Sequence, residues 1–132
     1  MEKTLLIIKP DATRRNLIGH VIGRLEKARF RIVEMKTVRL TKEKAQAFYA
    51  VHEGKPFLDS LTTYMASGPI VPMLLEKENA IADLRTLIGA TDPGKAACGT
   101  LRNEIGIDVQ NNSVHASDST ESAAFEIPFF FG

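Results

Sequence analysis

The 132-residue chain lacks most of the features that mark secreted, membrane-bound or nucleic-acid-binding proteins. Cys98 is its only cysteine, so no internal disulfide can form, and a reducing compartment suits the chain. Seventeen Lys and Arg residues are balanced by sixteen Asp and Glu residues, so no net charge attracts nucleic acid or an anionic membrane. No apolar run approaches the ~20 residues of a membrane span, and the first residues do not resemble a signal peptide. We therefore expect a cytoplasmic protein with no role at a membrane.

The chain also lacks a cluster of metal-binding side chains. His20, His52 and His115 do not have the spacing of zinc ligands, and no second cysteine accompanies Cys98. Apolar residues make up 44% of the chain and charged residues 25%, as in ordinary globular proteins. Because no repeat, linker or low-complexity segment divides it, we expect residues 1–132 to form one domain with its own hydrophobic core.

The hydrophobic pattern predicts alternating strands and helices. Strands are predicted at 4–8, 30–40, 70–75 and 112–116, and helices at 17–25, 41–51, 56–65, 79–88 and from Asp118 onward. Pro72 removes a hydrogen-bond donor from the third strand, which predicts an edge position or a bulge. Pro128 is expected to end or kink the last helix.

Residues 89–110 show no long periodicity and are rich in Gly, Pro and Asp. A loop of this length inside a small domain is usually functional. The order of elements, β-α-β-α-α-β-α-loop-β-α, predicts the α/β class. We expect an α+β sandwich in which helices cover an antiparallel sheet, with the long loop before the last strand.

His115 lies in a run of small polar residues, 111–119, that is the most informative segment of the chain. A helix N-cap pattern follows it at once, with Asp118 and then Glu121 three residues later. A neutral imidazole is a nucleophile near pH 7, and the N-terminus of a helix attracts anions. The segment therefore suggests a histidine that reacts with a phosphate, although a half-buried histidine beside a turn would have the same local pattern.

Residues 112–119, Asn-Ser-Val-His-Ala-Ser-Asp-Ser, resemble the active-site signature of nucleoside diphosphate kinases, which usually reads Asn-x-x-His-Gly-Ser-Asp-Ser. Four further segments resemble motifs of that family, in the same order and with similar spacing: 7–11, 67–69, 89–93 and 99–102. The resemblance extends from residue 3 to about residue 127. It therefore covers nearly the whole chain.

The resemblance implies a ferredoxin-like fold and a two-step phosphoryl transfer. In this family the γ-phosphoryl group of a nucleoside triphosphate, typically ATP, moves to a nucleoside diphosphate by a ping-pong mechanism. His115 is the implied phosphohistidine. Mg²⁺ would be held mainly by the nucleotide phosphates, with Asp118 contacting it through water. The family also implies a homo-oligomer, and the sequence leaves both a hexamer and a tetramer open.

Two groups of site residues follow from the resemblance. The catalytic group surrounds the imidazole and consists of His115, Glu126, Ser117 and Tyr49. The substrate-binding group contacts the phosphates, the ribose and the base, and consists of Lys9, Phe57, Arg85, Thr91, Arg102 and Asn112. The chemistry suits these residue types, because guanidinium groups bind phosphate with two hydrogen bonds and an aromatic ring stacks on any base.

Three departures from the family pattern leave an alternative open. Ala116 replaces a glycine, Cys98 replaces a common proline, and residues 103–104 replace a frequent Gly-Asp pair. They motivate a second hypothesis, a catalytically silent nucleotide-binding module of the same fold. A third hypothesis, a nucleic-acid-binding regulator, needs a basic surface that the charge balance does not provide. The first hypothesis is favoured because no group needed for the chemistry has been lost.

Overall fold

The computed structural model describes residues 1–132 and contains one antiparallel sheet of four strands. The strands are β1 (Glu2–Ile8), β2 (Arg31–Met35), β3 (Val71–Lys77) and β4 (Val114–Ala116). Their order in the sheet is β2-β3-β1-β4, so the first strand lies between β3 and the short last strand. The β1–β4 register pairs Ile7 with His115, which brings the end of β1 beside the segment with the family signature.

Seven α-helices connect and cover the strands: α1 (Pro10–Arg14), α2 (Ile18–Lys27), α3 (Lys42–Phe48), α4 (Leu58–Met65), α5 (Ala80–Ile88), α6 (Leu101–Ile105) and α7 (Thr120–Phe131). Short 3-10 turns occur at Ala50–His52 and Pro93–Lys95. None of the helices has the length and apolar character needed to cross a membrane.

The alternation of side chains along β1 builds two hydrophobic cores, one on each face of the sheet. Leu6 and Ile8 pack on one face with side chains from α2, α5 and α6. Leu5 and Ile7 pack on the other face with side chains from α3, α4 and α7. All four side chains are fully buried, and burial of each contributes roughly 1.5–3 kcal/mol. The prediction of helices over an antiparallel sheet is therefore confirmed.

The predicted edge position of Pro72 is wrong, because β3 lies inside the sheet. Pro72 pairs with Ile7 of β1 on one side. On the other side its carbonyl accepts a hydrogen bond from Lys36 N–H at 3.2 Å, just beyond the end of β2. The Pro72 nitrogen, which carries no hydrogen, lies opposite Lys36, one residue beyond the end of β2. The predicted strand at 30–40 is correspondingly shorter in the structure.

The last third of the chain differs from the sequence predictions in three details. The long loop contains a five-residue helix, α6, whose N-cap is Thr100. The cap of α7 is Ser119, which accepts a hydrogen bond from Ser122 N–H, so the helix begins after Asp118. Pro128 does not end α7, which continues to Phe131. The proline removes one N–H donor from the helix, and the residues after it pack into the second core, which holds the last turn in place.

Candidate active site

A cleft of about 540 Å³ opens where β4, α7 and the loops around them meet. Every site residue expected from the sequence lines this cleft except Ser117, and Asp118 lines it as well. They come from distant segments of the chain: Lys9, Tyr49, Phe57, Arg85, Thr91, Arg102, Asn112, His115, Asp118 and Glu126. The sheet explains this convergence, because Lys9 directly follows β1 and His115 lies in the strand paired with β1.

His115 is oriented by a carboxylate from the following helix. Its Nε2 lies 2.9 Å from Glu126 Oε1, and the same oxygen accepts a hydrogen bond from Ser117 Oγ at 2.8 Å. An ionised carboxylate can only accept, so Nε2 must carry the proton and Nδ1 keeps its lone pair in the neutral ring. Nδ1 has no hydrogen-bond partner in the protein, and the side chain is 20% exposed. Ser117 is buried and does not line the cleft, but it contacts Glu126, the hydrogen-bond partner of the imidazole.

Two aromatic rings hold the imidazole from the side of α3. The rings of Phe48 and Tyr49 meet His115 edge-on, with centroids 5.4 Å and 6.1 Å away. The buried Tyr49 hydroxyl has no hydrogen-bond partner in the protein. Burial, and then the charge of Glu126, raise the pKa of Tyr49, so its hydroxyl keeps its proton. A protonated, unpaired hydroxyl in the cleft wall is available to donate to a bound oxygen.

Three cations lie in the cleft without a carboxylate bound to any of them. Lys9 Nζ donates to Asn112 Oδ1 at 2.9 Å, and both side chains are buried. Arg102 is held by the carbonyls of Gly89 and Val114 at 3.0 and 2.8 Å, while its Nε is buried and unpaired. The Arg85 guanidinium lies 3.3 Å from the Ala116 carbonyl. The arrangement leaves positive charge for an anionic ligand.

Burial and mutual repulsion act on these cations. Burial, followed by the charge of Arg102, lowers the pKa of Lys9 from 10.5 to about 8, against the opposing effect of Asp11. Burial and then Arg85 lower the pKa of Arg102 to about 10, which leaves it charged at neutral pH. A bound phosphate would offset both the desolvation of these cations and their mutual repulsion, because it brings a negative charge next to them.

Asn112 connects Lys9 to the two loops that carry Thr91 and Val109. Its amide nitrogen donates to the carbonyls of Thr91 and Val109, each at 3.0 Å, while its oxygen accepts from Lys9. Both N–H donors of the Asn112 amide are therefore used within the protein, while its oxygen can accept one more hydrogen bond. It holds the loop carrying Thr91 and the loop carrying Val109 at a set separation across the cleft.

The mouth of the cleft is apolar. Phe57 is 48% exposed and Val109 is 57% exposed, an unusual state for large apolar residues that line a cavity. His52 contacts the Phe57 ring edge-on at 5.3 Å and stacks on Tyr49 at 6.3 Å. This rim offers a flat ring to a planar ligand.

Asp118 is the carboxylate placed to approach a cation in the cleft, at the start of α7. Ser122 Oγ donates to it at 2.5 Å, and this hydrogen bond is the main cause that lowers the pKa of Asp118. The carboxylate therefore stays ionised. No group of three or more His, Cys, Asp or Glu side chains is arranged to hold a metal ion, so the protein has no cage of its own.

Sequence reasoning missed part of the cleft wall. His52 was considered only as a zinc ligand and was not assigned to the site, yet it lines the cleft beside Phe57. Gln110 also lines the cleft, and its Oε1 accepts a hydrogen bond from Ser60 Oγ at 2.8 Å. The position of His52, three residues after Tyr49, is the one signal that would have pointed to it, since side chains three apart share a helical face.

Known proteins resemble this chain over nearly its full length. A nucleoside diphosphate kinase of Chlorobaculum parvum is 60% identical over 131 residues, which are 99% of this chain and 94% of the relative. One of Desulfatibacillum aliphaticivorans is 57% identical over 131 residues, with coverage of 99% and 95%.

Solved structures agree with these sequences. The nucleoside diphosphate kinase of Aquifex aeolicus superposes with a TM-score of 0.97 at 43% identity, covering 99% of this chain and 95% of its own. The enzyme of Halobacterium salinarum, solved in complex with CDP, superposes with a TM-score of 0.95 at 40% identity, with coverage of 98% and 87%.

The family model for nucleoside diphosphate kinase matches residues 2–132. The expected fold and activity are confirmed. This chain belongs to the nucleoside diphosphate kinase family, enzymes that transfer a phosphoryl group between nucleotides.

Proposed function

We propose that His115 is the nucleophile of this kinase and that its Nδ1 attacks the γ-phosphorus of a nucleoside triphosphate. The observation that carries the proposal is the 2.9 Å contact between His115 Nε2 and Glu126, which leaves Nδ1 free toward the cleft. In this step the N–P bond forms as the P–O bond to the β-phosphate breaks. The bonding pair leaves with the nucleoside diphosphate, and the ring, now positively charged, is stabilised by Glu126.

The cations of the cleft would stabilise the charge that spreads over the phosphoryl oxygens. We assign Lys9, Arg85 and Arg102 to the phosphates, with the Arg102 Nε and the Tyr49 hydroxyl as donors that lack a partner within the protein. Donors that are already oriented and shielded from water stabilise a transition state without reorganising. Thr91 and Asn112 are assigned to the phosphate and ribose of the same nucleotide.

The second half-reaction reverses the first. A nucleoside diphosphate occupies the same cleft, an oxygen of its β-phosphate attacks the phosphorus, and the electron pair of the N–P bond returns to His115 Nδ1. Because both nucleotides use one site in turn, we expect ping-pong kinetics. A phosphohistidine serves this cycle well because it retains enough reactivity to pass the phosphoryl group on.

We propose that Phe57 supports the base by stacking. Stacking accepts purines and pyrimidines because every base has a π-face, and the half-exposed ring of Phe57 lines the cleft with His52 against its edge. The relative from Halobacterium salinarum was solved with CDP, so a pyrimidine nucleotide binds that enzyme. We infer that this chain also accepts a pyrimidine nucleotide.

Mg²⁺ is the cofactor we propose, and the residues present fit it. Two carboxylates line the cleft, and Glu126 is engaged by His115 and Ser117, which leaves Asp118 rather than a set of protein ligands. This suits a cation coordinated chiefly by phosphate oxygens and water. When bound, Mg²⁺ would neutralise charge on the phosphates. Asp118 would orient the water shell of the ion.

Incubation with γ-labelled ATP and Mg²⁺ tests the proposed nucleophile. The parent protein should take up an acid-labile, alkali-stable label that added GDP or dTDP removes. His115→Ala should take up none, whereas His20→Ala, a matched change of an exposed histidine outside the cleft, should behave like the parent. Full phosphoryl transfer by His115→Ala would overturn the proposal. Nucleotide binding without label in the parent would instead favour a silent binding module.

We further propose that the chain is one domain and assembles into a homo-oligomer in the cytoplasm. β1 contributes side chains to both cores, which supports the single domain. Val33 and Met35 lie exposed on the edge strand β2, and an apolar strand edge left in water tends to pair with another chain. Analytical ultracentrifugation should give a single species of four or six subunits, and a stable monomer would contradict this proposal.

A further inference from the structure

Asp11 is a carboxylate buried to 2% exposure, two residues after Lys9, and it does not line the nucleotide cleft. Burial of a charged group is costly unless charged partners and hydrogen bonds compensate it. Here four donors surround it: the Tyr64 hydroxyl and Ser113 N–H at Oδ1, and Arg15 Nη2 and Ser113 Oγ at Oδ2. The Arg15 bond is 2.9 Å and the two Ser113 bonds are 3.2 and 2.8 Å.

Two of these four bonds go to one residue with an unusual backbone. Ser113 has φ = +77°, in the left-handed region that residues other than glycine rarely adopt. The Asp11 carboxylate accepts hydrogen bonds from both the N–H and the hydroxyl of Ser113. Arg15 Nη2 also donates to the Ser113 hydroxyl, at 3.0 Å. The carboxylate thus holds Ser113 in a conformation that its sequence alone does not favour.

The position of Ser113 matters because both neighbours belong to the site. Asn112 precedes it and binds Lys9 Nζ, and His115 follows two residues later. The Ser113 carbonyl also accepts a hydrogen bond from Lys9 N–H at 2.9 Å. Because β4 is only three residues long, the hydrogen bonds of the residues just before it, those of Ser113 to Asp11 among them, set how the chain enters the strand. A change at Ser113 would therefore move both the cation site and the imidazole.

We propose that Asp11 is a positioning residue for phosphoryl transfer: through Ser113 it sets the placement of Lys9, Asn112 and His115. This inference rests on the proposed role of His115 and adds a residue that touches neither nucleotide nor phosphoryl group. Arg15 and Tyr64 complete the frame. Arg15, the C-cap of the helix that contains Asp11, also bonds the Ile105 carbonyl at 2.7 Å, and Tyr64 reaches the carboxylate from α4.

The charge of Asp11 provides a second link to the site. Asp11 opposes the effects that lower the pKa of Lys9, which come from burial and from Arg102. The other charged or titratable groups that line the cleft are Tyr49, His52, Arg85, His115, Asp118 and Glu126. Loss of the Asp11 charge therefore lowers the pH at which Lys9 loses its proton. Because this effect is coulombic, it is separate from the backbone contacts through Ser113, which need a test of their own.

Asp11→Asn tests the proposal, since it keeps the shape and removes the charge. We expect kcat to fall roughly ten- to a hundredfold, as for other sub-ångström misplacements of reacting groups. The decrease in nucleotide affinity with rising pH should also begin at a lower pH than in the parent. Thr62→Ala is the matched control, a buried polar residue of α4 outside the cleft. It should lower the melting temperature while leaving kcat and the pH profile as in the parent.

A rescue experiment isolates the backbone route. Asp11→Asn combined with Ser113→Gly should recover a severalfold part of the lost kcat, because glycine adopts positive φ without help. Asp11→Asn combined with Ser113→Ala should not. If Asp11→Asn does not fold, Ser113→Ala alone removes the hydroxyl that contacts Asp11, Arg15 and Ile105. It should lower the melting temperature modestly and still lower kcat a few fold in the folded protein.

Two outcomes would overturn the proposal: an unchanged kcat and pH profile in folded Asp11→Asn, or equal kcat for the Gly and Ala double variants. The parent and His115→Ala are measured in the same series. Failure of the proposed nucleophile would appear as activity in His115→Ala, whereas failure of the Asp11 role would leave His115→Ala inactive.

Discussion

His115 and Glu126 are eleven residues apart in the sequence, yet Nε2 and Oε1 lie 2.9 Å apart because β4 and the second turn of α7 meet at the floor of the cleft. Ser117 binds the same oxygen from the turn between them. One carboxylate oxygen thus sets the tautomer of the imidazole and connects it to the helix that follows. The orientation of the nucleophile depends on this junction.

Glu126→Gln should slow phosphorylation of His115 roughly ten- to a hundredfold, because the amide oxygen can still accept from Nε2 while the charge that stabilises the imidazolium is lost. Glu126→Ala should be slower still, since it also frees the tautomer. Rapid-quench measurement of the labelled protein reads the first half-reaction directly. Glu121→Gln, an exposed change on the same helix, is the control. Equal rates for Glu126→Gln and the parent would contradict the prediction.

Nucleotide affinity should decrease as the pH rises through about 8. The pKa of Lys9 in the free protein is lowered to about 8, and the charged amine is the form that binds phosphate. Above that pH, binding must return a proton to Lys9, so calorimetry in two buffers of different ionisation heat should detect proton uptake near pH 9. Lys9→Gln should abolish this uptake. Affinity that is constant from pH 7 to 9 would contradict it.

The same pKa shift has an opposite sign for stability. Because the folded value lies below the usual 10.5, the unfolded chain binds more protons between about pH 8 and 10.5. The penalty of burying the charged amine is present below pH 8 and decreases as the pH rises through this window. Stability from this group therefore increases where nucleotide affinity decreases.

Phe57→Ala should weaken binding of all nucleotides to a similar extent. Base stacking contributes about 1–3 kcal/mol, so we expect KM to rise roughly five- to a hundredfold with a smaller effect on kcat. Steady-state kinetics with one purine and one pyrimidine diphosphate provide the measurement. Phe125→Ala removes a similarly exposed ring from α7, outside the cleft, and should leave KM unchanged. A selective loss for one base class would show that the site does more than stack.

Gly89→Ala should destabilise the fold more than Gly99→Ala does. Both glycines have positive φ, 85° and 89°, so both substitutions carry a backbone cost of roughly 1–3 kcal/mol. Gly89 also has ψ = −176°, a combination that only glycine adopts readily. A Cβ at Gly89 would also lie 2.5 Å from Thr100 Oγ1, whereas a Cβ at Gly99 would meet nothing within 4 Å. Urea unfolding should therefore separate the two by a further ~1–3 kcal/mol of overpacking. Equal destabilisation of the two variants would contradict the prediction, because it would show that Thr100 moves to accommodate the added methyl group.

Local sequence patterns predicted much of the fold. The strand predicted at 4–8 is β1, and the helix predicted from residue 41 is α3, with Thr41 as its N-cap. Pro72 was misplaced because a proline shows only that no N–H is donated at its position, and an edge strand is one of several ways to satisfy that. Here β2 ends at Met35, so the interior strand β3 accommodates the proline. Pro128 was misjudged because the core contacts that hold the last turn of α7 are not visible in the local sequence.

The site divides in the same way. The order and chemistry of the motifs identified the family and the residues now found in one cleft, since side chains that bind phosphate or stack on a base must be of particular types. The hydrogen-bond partners were beyond sequence reasoning. Nothing in the local pattern shows that Asn112 binds Lys9, 103 residues away, or that Asp11 holds Ser113 at positive φ.

Short-range physics therefore determined the elements and the chemical groups of this protein, because periodicity, caps and residue types act within a few positions of the chain. Tertiary structure alone decided whether Nδ1 or Nε2 of His115 is free, how far the pKa of Lys9 is lowered, and that His52 lies in the cleft. Those properties depend on burial and on contacts between β1, β4 and α7, and such contacts exist only once the sheet has closed the cleft.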